Sequence, residues 1–518
     1  MKRNTTNRNN SLWEMAFACL GLLLLYWGME NYEIVLLLAE KPHLILPYLV
    51  QEIGWLKLIL GTVAAVGLLW FLIAIGGKDN DRVVRGAKII SFSKLRKTLK
   101  RQPKLKNQPQ LELVGLPIPL KYENRGFFLV GSPGSGKTQA ISQMVAILKQ
   151  RSDFRGIVFD RGGELLEKFY DPNKDLIFNP HDGRSSHWNH TVESARPETM
   201  AAALIPEEGG KDSFFWKAGR AVMAELFRQT NSNAEVFELL QSRLETLNSF
   251  LSGTLAARYL DESRMATSVL STVANYCQFY SSLIKHQGKT LSFYDWGASD
   301  SPRWIFVTLR ENDTELFKPL STLVFELILK GLLSNERRSK KTAIVIDELG
   351  ALSRLPSLHR LLSESRKFLG CPILGTQTEA QITKIYGRED TRIILQGTKT
   401  KLVLNCADPQ TAETMAKIIG KQEIITLTQN HSRTSHKGGQ NITFSSNEQL
   451  RESYAVLPAE LQDLPDLKGY FKIAGFPAAA VNVEIVRFPK VNKNFVSQSE
   501  IFSKQSIQSQ WKNNQDNY

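Results

Sequence analysis

A phosphate-binding loop is the sequence feature that most restricts the fold of this 518-residue chain. The loop matches the pattern G-x4-G-K-[ST] and consists of Gly131, Ser132, Pro133, Gly134, Ser135, Gly136, Lys137 and Thr138. The apolar run Gly126–Val130 precedes it, and a helical pattern over Gln139–Lys149 follows it. A strand, this loop and a helix in that order are the context in which the motif binds phosphate. The pattern therefore predicts a nucleotide-binding α/β domain.

Each part of this P-loop has a predicted role toward ATP and Mg²⁺. The glycines let backbone N–H groups surround phosphate oxygens, and the helix N-terminus adds partial positive charge. Lys137 is expected to reach the β and γ phosphates, and the Thr138 hydroxyl is expected to bind the metal. All eight loop residues are therefore candidate nucleotide-binding residues.

A carboxylate on the metal side should accompany the P-loop, and the run Thr342–Asp347 supplies one. This apolar strand pattern ends in the pair Asp347-Glu348. Asp347 is expected to position Mg²⁺ through its hydration shell, and Glu348 to orient or deprotonate the attacking water. About 210 residues separate the two motifs. This distance is long for one P-loop core, so an insertion is expected between them.

Three further polar side chains are candidates for the site. Gln377 follows the strand-like run Pro372–Thr376 and would contact the γ-phosphate or its water, unless it is an ordinary strand-end amide. Arg366 ends the amphipathic stretch Leu358–Phe368 and would stabilise charge on a neighbour's nucleotide, unless it is a helix C-terminal cation. Asp160 follows an earlier strand-like run and either lies near the site or caps the next turn.

The pattern of the chain changes between the two motifs. From 193 to 288, β-branched runs give way to helical spacing, which predicts a compact all-α insertion. The α/β domain is then expected to cover 78–192 and 289–489. The polar, Gly- and Ser-rich stretch 428–447 predicts an exposed loop. Residues 490–518 are rich in Asn, Gln, Ser and Lys, which predicts a flexible tail.

Two apolar stretches predict a membrane anchor within residues 1–77. The stretch 58–75 has 18 uncharged residues, and as a helix it would rise about 27 Å, close to the thickness of a bilayer core. The stretch 12–29 is apolar except for Glu14. Basic residues precede the first stretch and follow the second, which predicts that both termini face the cytoplasm. A signal peptide is the alternative for the first stretch, but no small-residue cleavage site follows it.

The net charge of +14 is concentrated after the predicted anchor. Residues 76–125 contain 13 Lys or Arg and 4 Asp or Glu. The basic stretch Arg82–Lys106 has two interpretations, a solvated linker near anionic lipid or a nucleic-acid contact. Charge alone attracts any polyanion, so it supports a nucleic-acid partner only mildly.

Several stretches together resemble the type IV secretion coupling proteins, in particular the TraD-like conjugation branch. The matching stretches are GSPGSGKT (Gly131–Thr138), DRGGELLEKFYDP (Asp160–Pro172), NPHDGRSSHWN (Asn179–Asn189), IDELGALSRLPSLHRLLSESRKFLGC (Ile346–Cys371) and GTQTEAQITKIYG (Gly375–Gly387). The likeness covers the whole chain. The block that begins at Ile346 is far more specific than the P-loop, which many unrelated NTPases share.

The resemblance implies a RecA-like α/β P-loop NTPase domain with an inserted all-α domain, preceded by two transmembrane helices. It implies a homo-hexamer in the bacterial inner membrane that couples ATP hydrolysis to transfer of relaxase-bound single-stranded DNA through a type IV secretion channel. The implied partners are single- and double-stranded DNA, relaxosome proteins, channel proteins and the membrane. By the same likeness, Arg366 falls where the family has an arginine that acts on the nucleotide of a neighbouring subunit, and Arg125 would have a similar role. Gln377 falls at the family's sensor position, beside the γ-phosphate.

Three other functions are alternatives to this one. A chromosomal DNA translocase of the FtsK type typically has more spans, a long linker and a winged-helix end, and none of these is visible. An exporter of small molecules would carry an LSGGQ signature and more spans. A receptor that selects protein substrates and uses ATP only to assemble is the third. The intact P-loop and Asp347-Glu348 pair argue against a dead site but not against protein cargo.

Overall fold

The computed structural model describes residues 81–206, 213–285, 288–436 and 439–500. The two predicted membrane spans, 12–29 and 58–75, lie outside these residues. Within the described part, no helix is both long enough and apolar enough to cross a bilayer. The chain forms two compact units. In the described ranges, one unit contains 81–86 and 422–453, and the other contains the remaining residues.

The larger unit is built on a ten-stranded sheet with the order β2-β15-β14-β11-β5-β10-β9-β6-β8-β7. The strands of the chain are β1 (Asp81–Gly86), β2 (Ile89–Ile90), β3 (Glu112–Leu113), β4 (Leu116–Pro117), β5 (Phe127–Val130), β6 (Phe154–Arg161), β7 (Leu176–Phe178), β8 (Ile305–Leu309), β9 (Lys341–Ile346), β10 (Gly370–Thr376), β11 (Thr400–Val403), β12 (Lys421–His436), β13 (Gly439–Tyr454), β14 (Lys468–Ile473) and β15 (Ala478–Asn482). From β11 to β7 the strands run parallel. Every residue of β5, β8 and β10 is buried, as expected for strands covered on both faces.

Helices connect the strands and form a separate helical region. They are α1 (Phe92–Lys100), α2 (Leu120–Glu123), α3 (Lys137–Lys149), α4 (Glu164–Phe169), α5 (Pro197–Leu204), α6 (Ser213–Gln229), α7 (Asn233–Gln241), α8 (Leu244–Phe250), α9 (Ser263–Cys277), α10 (Tyr280–Leu283), α11 (Phe293–Ala298), α12 (Thr314–Leu332), α13 (Pro356–Glu364), α14 (Glu379–Gly397), α15 (Pro409–Ile419) and α16 (Pro458–Gln462). In the described chain, α5 to α10 follow one another between β7 and β8 with no strand among them. The stretch predicted to be all-α is thus helical, and its predicted boundaries at 193 and 288 stay a prediction.

The smaller unit contains a three-stranded sheet in the order β1-β12-β13. Strand β1 pairs antiparallel with β12, and Arg85 Nε lies 2.7 Å from Glu423 Oε2 across this pair. The prediction of an exposed loop over 428–447 is therefore wrong for 428–436 and 439–447, which belong to strands β12 and β13. Backbone groups make the hydrogen bonds of a sheet, so a polar composition does not prevent a strand.

Glu193 joins the two ends of the helical region. Its buried carboxylate accepts hydrogen bonds from Trp188 Nε1 at 2.8 Å and from Ser292 Oγ at 2.9 Å. It also accepts the backbone N–H groups of Phe293 and Tyr294, both at 2.9 Å. Burial raises the pKa of Glu193, and these four donors oppose that rise. One carboxylate therefore holds the chain where it enters the helical region and where it leaves it.

We expect Glu193→Ala to loosen the helical region by leaving buried donors unsatisfied. Losing these hydrogen bonds should cost about 2 kcal/mol of local stability, or roughly a 30-fold rise in the opened fraction. The rate of limited proteolysis between α5 and α10 measures that fraction. The exposed Glu238 is the matched control, and Glu238→Ala should leave the cleavage rate unchanged. Equal cleavage rates in the two variants would contradict the role assigned to Glu193.

The segment Lys490–Glu500, where the predicted flexible tail begins, packs along the rest of the larger unit. The N–H groups of Val491 and Asn492 donate to Glu167 O at 3.0 and 3.1 Å. Further along, Gly183 N donates to Val496 O at 2.8 Å, and Asn492 Nδ2 donates to Tyr170 O at 2.7 Å. The polar composition suggested mobility, but here polar side chains and backbone groups satisfy one another. Residues 501–518 of the predicted tail lie outside the described residues.

Candidate nucleotide-binding site

The sheet brings three predicted motifs to one edge. Strand β10 lies between β5 and β9, with Thr376 beside Val130 and Leu374 beside Ile346. The P-loop follows β5, Gln377 follows β10, and Asp347-Glu348 follows β9. Because parallel strands have their carboxyl ends at the same edge, these motifs converge there. Two motifs separated by about 210 residues in sequence are thus one strand apart in space.

The backbone of the P-loop requires glycine at defined positions. Gly134 and Gly136 have φ values of +81° and +102°, which other residues rarely adopt. A Cβ atom on Gly131 would lie 2.5 Å from Ser135 Oγ and 2.8 Å from the Cβ of Leu404. The loop is therefore closely wrapped, and it leads directly into α3, whose first turn contains Lys137 and Thr138.

The two key P-loop side chains contact the two predicted carboxylates. Lys137 Nζ lies 3.1 Å from Glu348 Oε2, and both side chains are about nine-tenths buried. Thr138 Oγ1 donates to Asp347 Oδ2 at 2.8 Å. A lysine ammonium, a threonine hydroxyl and two carboxylates thus form one cluster, and their roles toward phosphate and metal stay a prediction.

The cluster also has polar atoms that lack partners within the described protein. These buried atoms are Ser135 Oγ, Asp347 Oδ1 and Glu348 Oε1. Burial raises the pKa of Asp347, while the Lys137 ammonium and the Thr138 hydroxyl act in the opposite direction. A divalent cation or a polarised water would satisfy such oxygens, because buried carboxylates need a cation or hydrogen-bond donors. The residues present therefore fit Mg²⁺ and a nucleotide phosphate.

Asp160 belongs to the protein scaffold beside this cluster. Its Oδ2 atom accepts the Leu166 N–H at 2.7 Å in the first turns of α4. Burial raises the pKa of Asp160 to about 7, and this hydrogen bond opposes the rise. Asp160 thus hydrogen-bonds the first turns of the following helix, and it also lies near the cluster, where the Asp347 carboxylate contributes to the rise of its pKa.

Asn405 is a residue of the site that the sequence analysis missed. Its Oδ1 atom accepts a hydrogen bond from Ser132 Oγ at 3.1 Å, and its backbone O accepts the Ser132 N–H at 2.8 Å. Its Nδ2 group donates to Gln462 O and Leu464 O at 2.9 and 2.7 Å. Asn405 thereby positions the P-loop. A polar residue just after the core strand β11 was the signal available in the sequence.

The two candidate arginines do not lie at this edge of the sheet. Arg125 precedes β5 and Arg366 precedes β10, so both lie at the opposite ends of these strands. The seven residues of β10 separate Arg366 from Gln377 by about 20 Å. Ser365 Oγ donates to Asn124 O at 2.6 Å, which holds the two arginine-bearing segments together. The structure therefore does not bring Arg125 or Arg366 to the P-loop of its own chain, and their action on a neighbouring subunit stays a prediction.

The two arginines differ in their surroundings. Arg125 is partly buried, and its guanidinium lies over the Tyr122 ring, 5.1 Å from the centroid. Arg366 is exposed, two residues after the end of α13. Gln377 is partly buried at the P-loop edge, and its side chain makes no hydrogen bond with the described residues. Arg366 and Gln377 are thus both available to contact a ligand or another molecule.

Three features define the class of protein: the parallel sheet, the P-loop after β5, and the carboxylates after β9, two positions from β5 in the sheet. Together they define a RecA-like P-loop NTPase with an attached helical domain. The chain belongs to the type IV secretion-system coupling proteins, because the profile of that family's DNA-binding domain matches residues 110–484. It is similar to Coupling protein TraD of Escherichia coli (strain K12), with 28% identity over 448 residues. That alignment covers 82% of this chain and 62% of the relative, so the chain spans less than two thirds of TraD.

Solved structures of the plasmid coupling protein TrwB share the fold. The complex of TrwB with ADP and Mg²⁺ superposes with a TM-score of 0.69 at 25% identity, covering 80% of this chain and 98% of that one. The complex of TrwB with the ATP analogue ADPNP gives a TM-score of 0.70 at 25% identity, with coverages of 82% and 99%. The predicted RecA-like fold with an all-α domain is confirmed by this similarity.

Proposed function

We propose that this coupling protein hydrolyses ATP with Mg²⁺ to drive relaxase-bound single-stranded DNA through a type IV secretion channel in conjugation. The observation that carries the proposal is the buried cluster in which Lys137 contacts Glu348 and Thr138 contacts Asp347. The complexes of the related TrwB with ADP and Mg²⁺ and with ADPNP support the choice of ligands.

Each residue of the cluster has a distinct task in this proposal. Lys137 and the P-loop N–H groups hold the phosphates. When ATP binds, the Lys137 ammonium leaves the Glu348 carboxylate and contacts a phosphate oxygen instead. Glu348, released from Lys137, orients and deprotonates the attacking water. Thr138 and Asp347 would hold Mg²⁺, which neutralises phosphate charge when bound. Gln377 would contact the γ-phosphate or its water from the adjacent strand.

The position of the arginines supports an oligomeric motor. Arg125 and Arg366 lie on the sheet edge opposite the P-loop, where they cannot reach the nucleotide of their own chain. A head-to-tail ring would allow the arginine edge of one subunit to face the P-loop edge of the next, because such an interface joins two different surfaces of the same protein. We propose that the ring is a homo-hexamer and that Arg366, aided by Arg125, stabilises charge on the neighbouring nucleotide.

The remaining features of the proposal rest on the sequence. Residues 12–29 and 58–75 would cross the bacterial inner membrane, with both termini and the motor in the cytoplasm. The motor would cover 78–192 and 289–489, with the all-α domain at 193–288 inserted in it. Relaxosome proteins and channel proteins are the proposed protein partners, and single- and double-stranded DNA the proposed nucleic acids. The family's DNA-binding domain matches the motor and the helical region together.

We expect single-stranded DNA to stimulate ATP turnover of the full chain, purified in detergent, by about tenfold at low salt. The stimulation should fade as salt rises, because phosphate contacts release counterions and weaken with ionic strength. Phosphate release measured across a salt series, with and without DNA, tests this. Normal basal turnover without stimulation, in a sample shown to be assembled, would favour the receptor for protein substrates instead.

A further inference from the structure

A basic cavity lies along the groove between α14 and α15 and reaches the sheet edge opposite the P-loop. It has a volume of about 960 Å³ and is bordered by α14, α15 and the ends of β11 and β14. We define the basic cavity by its six cationic side chains, Arg388, Arg392, Lys399, Lys401, Lys417 and Lys472. Glu379 and Glu389 are the carboxylates among its described lining residues. The cavity is therefore strongly positive and separate from the nucleotide cluster.

Most of these cations lack a carboxylate partner within the part of the chain that the structure describes. Lys399 Nζ donates to Gln396 O at 2.6 Å, and Lys472 Nζ donates to Phe476 O at 2.8 Å. Lys417 pairs with Glu413 at 2.8 Å. Among the described residues, neither Arg388 nor Arg392 forms an ion pair. Positive charges gathered without counter-ions repel one another, so the cavity is suited to receive an anion.

Lys401 is the most deeply placed of the six. Its residue is only 6% exposed, and its ammonium donates to the backbone oxygen of Thr398. Burial is the main cause that lowers the pKa of Lys401 to about 8, and the positive charge of the nearby Lys399 is the second cause. A buried ammonium with only neutral partners is costly, and an incoming anion would reduce that cost.

We propose that the basic cavity is a second phosphate-binding site, in which Lys399, Lys401 and Lys472 hold a phosphate group and Arg388 and Arg392 attract it. The described lining residues include no aromatic side chain, so the ligand is held through phosphates rather than through stacked bases. The phosphate comes either from the backbone of single-stranded DNA or from a free polyphosphate. The site shares no residue with the P-loop cluster.

Binding to the full chain carrying Lys137→Ala tests the proposal, because that background weakens phosphate binding at the P-loop. The probes are labelled oligothymidylate, followed by fluorescence anisotropy, and inorganic tripolyphosphate, followed by calorimetry. The variants are Lys401→Gln and the exposed pair Arg388→Gln with Arg392→Gln. Lys384→Gln is the matched control, since Lys384 is exposed on the part of α14 before the kink at Gly387 and does not line the cavity.

We expect each cavity variant to weaken binding of at least one probe about fivefold per cation removed, and the control to bind as the parent does. For oligothymidylate, the slope of log affinity against log salt should also fall by about 0.7 per lost contact. A loss confined to oligothymidylate identifies the DNA backbone as the source, and a loss confined to tripolyphosphate identifies a free polyphosphate.

If the variant with Arg388→Gln and Arg392→Gln binds both probes as tightly as the parent, the proposal is overturned. This conclusion does not depend on whether Lys401→Gln folds. A change in oligomer mass by light scattering, with both affinities unchanged, would also overturn it and assign the cavity to contacts between copies of the chain. Failure of DNA-stimulated hydrolysis in the wild-type chain would leave these binding measurements unaffected. The two proposals therefore fail separately.

Discussion

Lys137→Ala should reduce ATP turnover by about 100- to 1,000-fold, because it removes the P-loop cation that contacts phosphate charge. In the structure, Lys137 is buried and its ammonium contacts Glu348. No other cation among the described residues pairs with the Asp347-Glu348 carboxylates. Phosphate release by the full chain at saturating ATP and Mg²⁺ measures the loss.

Two controls sharpen this experiment. Lys330→Ala removes an exposed lysine from α12 and should leave turnover unchanged. Binding of a fluorescent ATP analogue shows whether Lys137→Ala weakens nucleotide binding as well as hydrolysis. Wild-type turnover in the Lys137→Ala protein would mean that the P-loop cluster is not where ATP is hydrolysed.

Arg366→Ala should lower turnover by about 1,000-fold while leaving the P-loop of the same chain intact, as loss of a trans-acting arginine does. The side chain is exposed and lies about 20 Å from the P-loop edge along β10. It therefore acts, in our proposal, only on the nucleotide of the next subunit. The adjacent Lys367, which pairs with Glu336 at 2.6 Å, is the matched control, and Lys367→Ala should retain activity.

Mixing distinguishes action in trans from a structural effect. An Arg366→Ala subunit keeps Lys137, and a Lys137→Ala subunit keeps Arg366. An interface is therefore complete, with both residues present, when the P-loop of the first subunit meets the arginine edge of the second. Random mixing at equal amounts should make about a quarter of the interfaces complete in a closed head-to-tail ring. Turnover should then rise well above that of either variant alone. If turnover stays at the level of the single variants at every ratio, Arg366 does not act across the interface.

The nucleotide cluster was predictable because the chemistry of a P-loop fixes both residue types and order. Lys137 and Thr138 follow a strand and a glycine-rich turn, and Asp347 and Glu348 end another strand. Parallel strands bring such ends to one edge, so the contacts at 3.1 and 2.8 Å follow from local pattern and sheet geometry together. Asn405 escaped prediction because one asparagine after a strand is a weak signal by itself.

Composition was a poor guide where backbone groups, not side chains, determine the structure. Strands β12 and β13 are polar and were predicted as a loop, yet their ladder is made of main-chain hydrogen bonds. In the polar segment Lys490–Glu500, Asn492 and the backbone of Val496 make hydrogen bonds with the rest of the larger unit. In both places backbone groups find hydrogen-bond partners in the protein, and composition does not indicate such partners.

By itself, the sequence determined the class of fold, the nucleotide cluster and the helical character of the region between β7 and β8, because these depend on local periodicity and on short motifs. Only the tertiary structure decided which edge of the sheet each arginine occupies, that Glu193 closes the helical region, and that Lys401 is buried in a basic cavity. These features join residues far apart in the chain. Their contacts depend on strand order and helix packing, which no local pattern specifies.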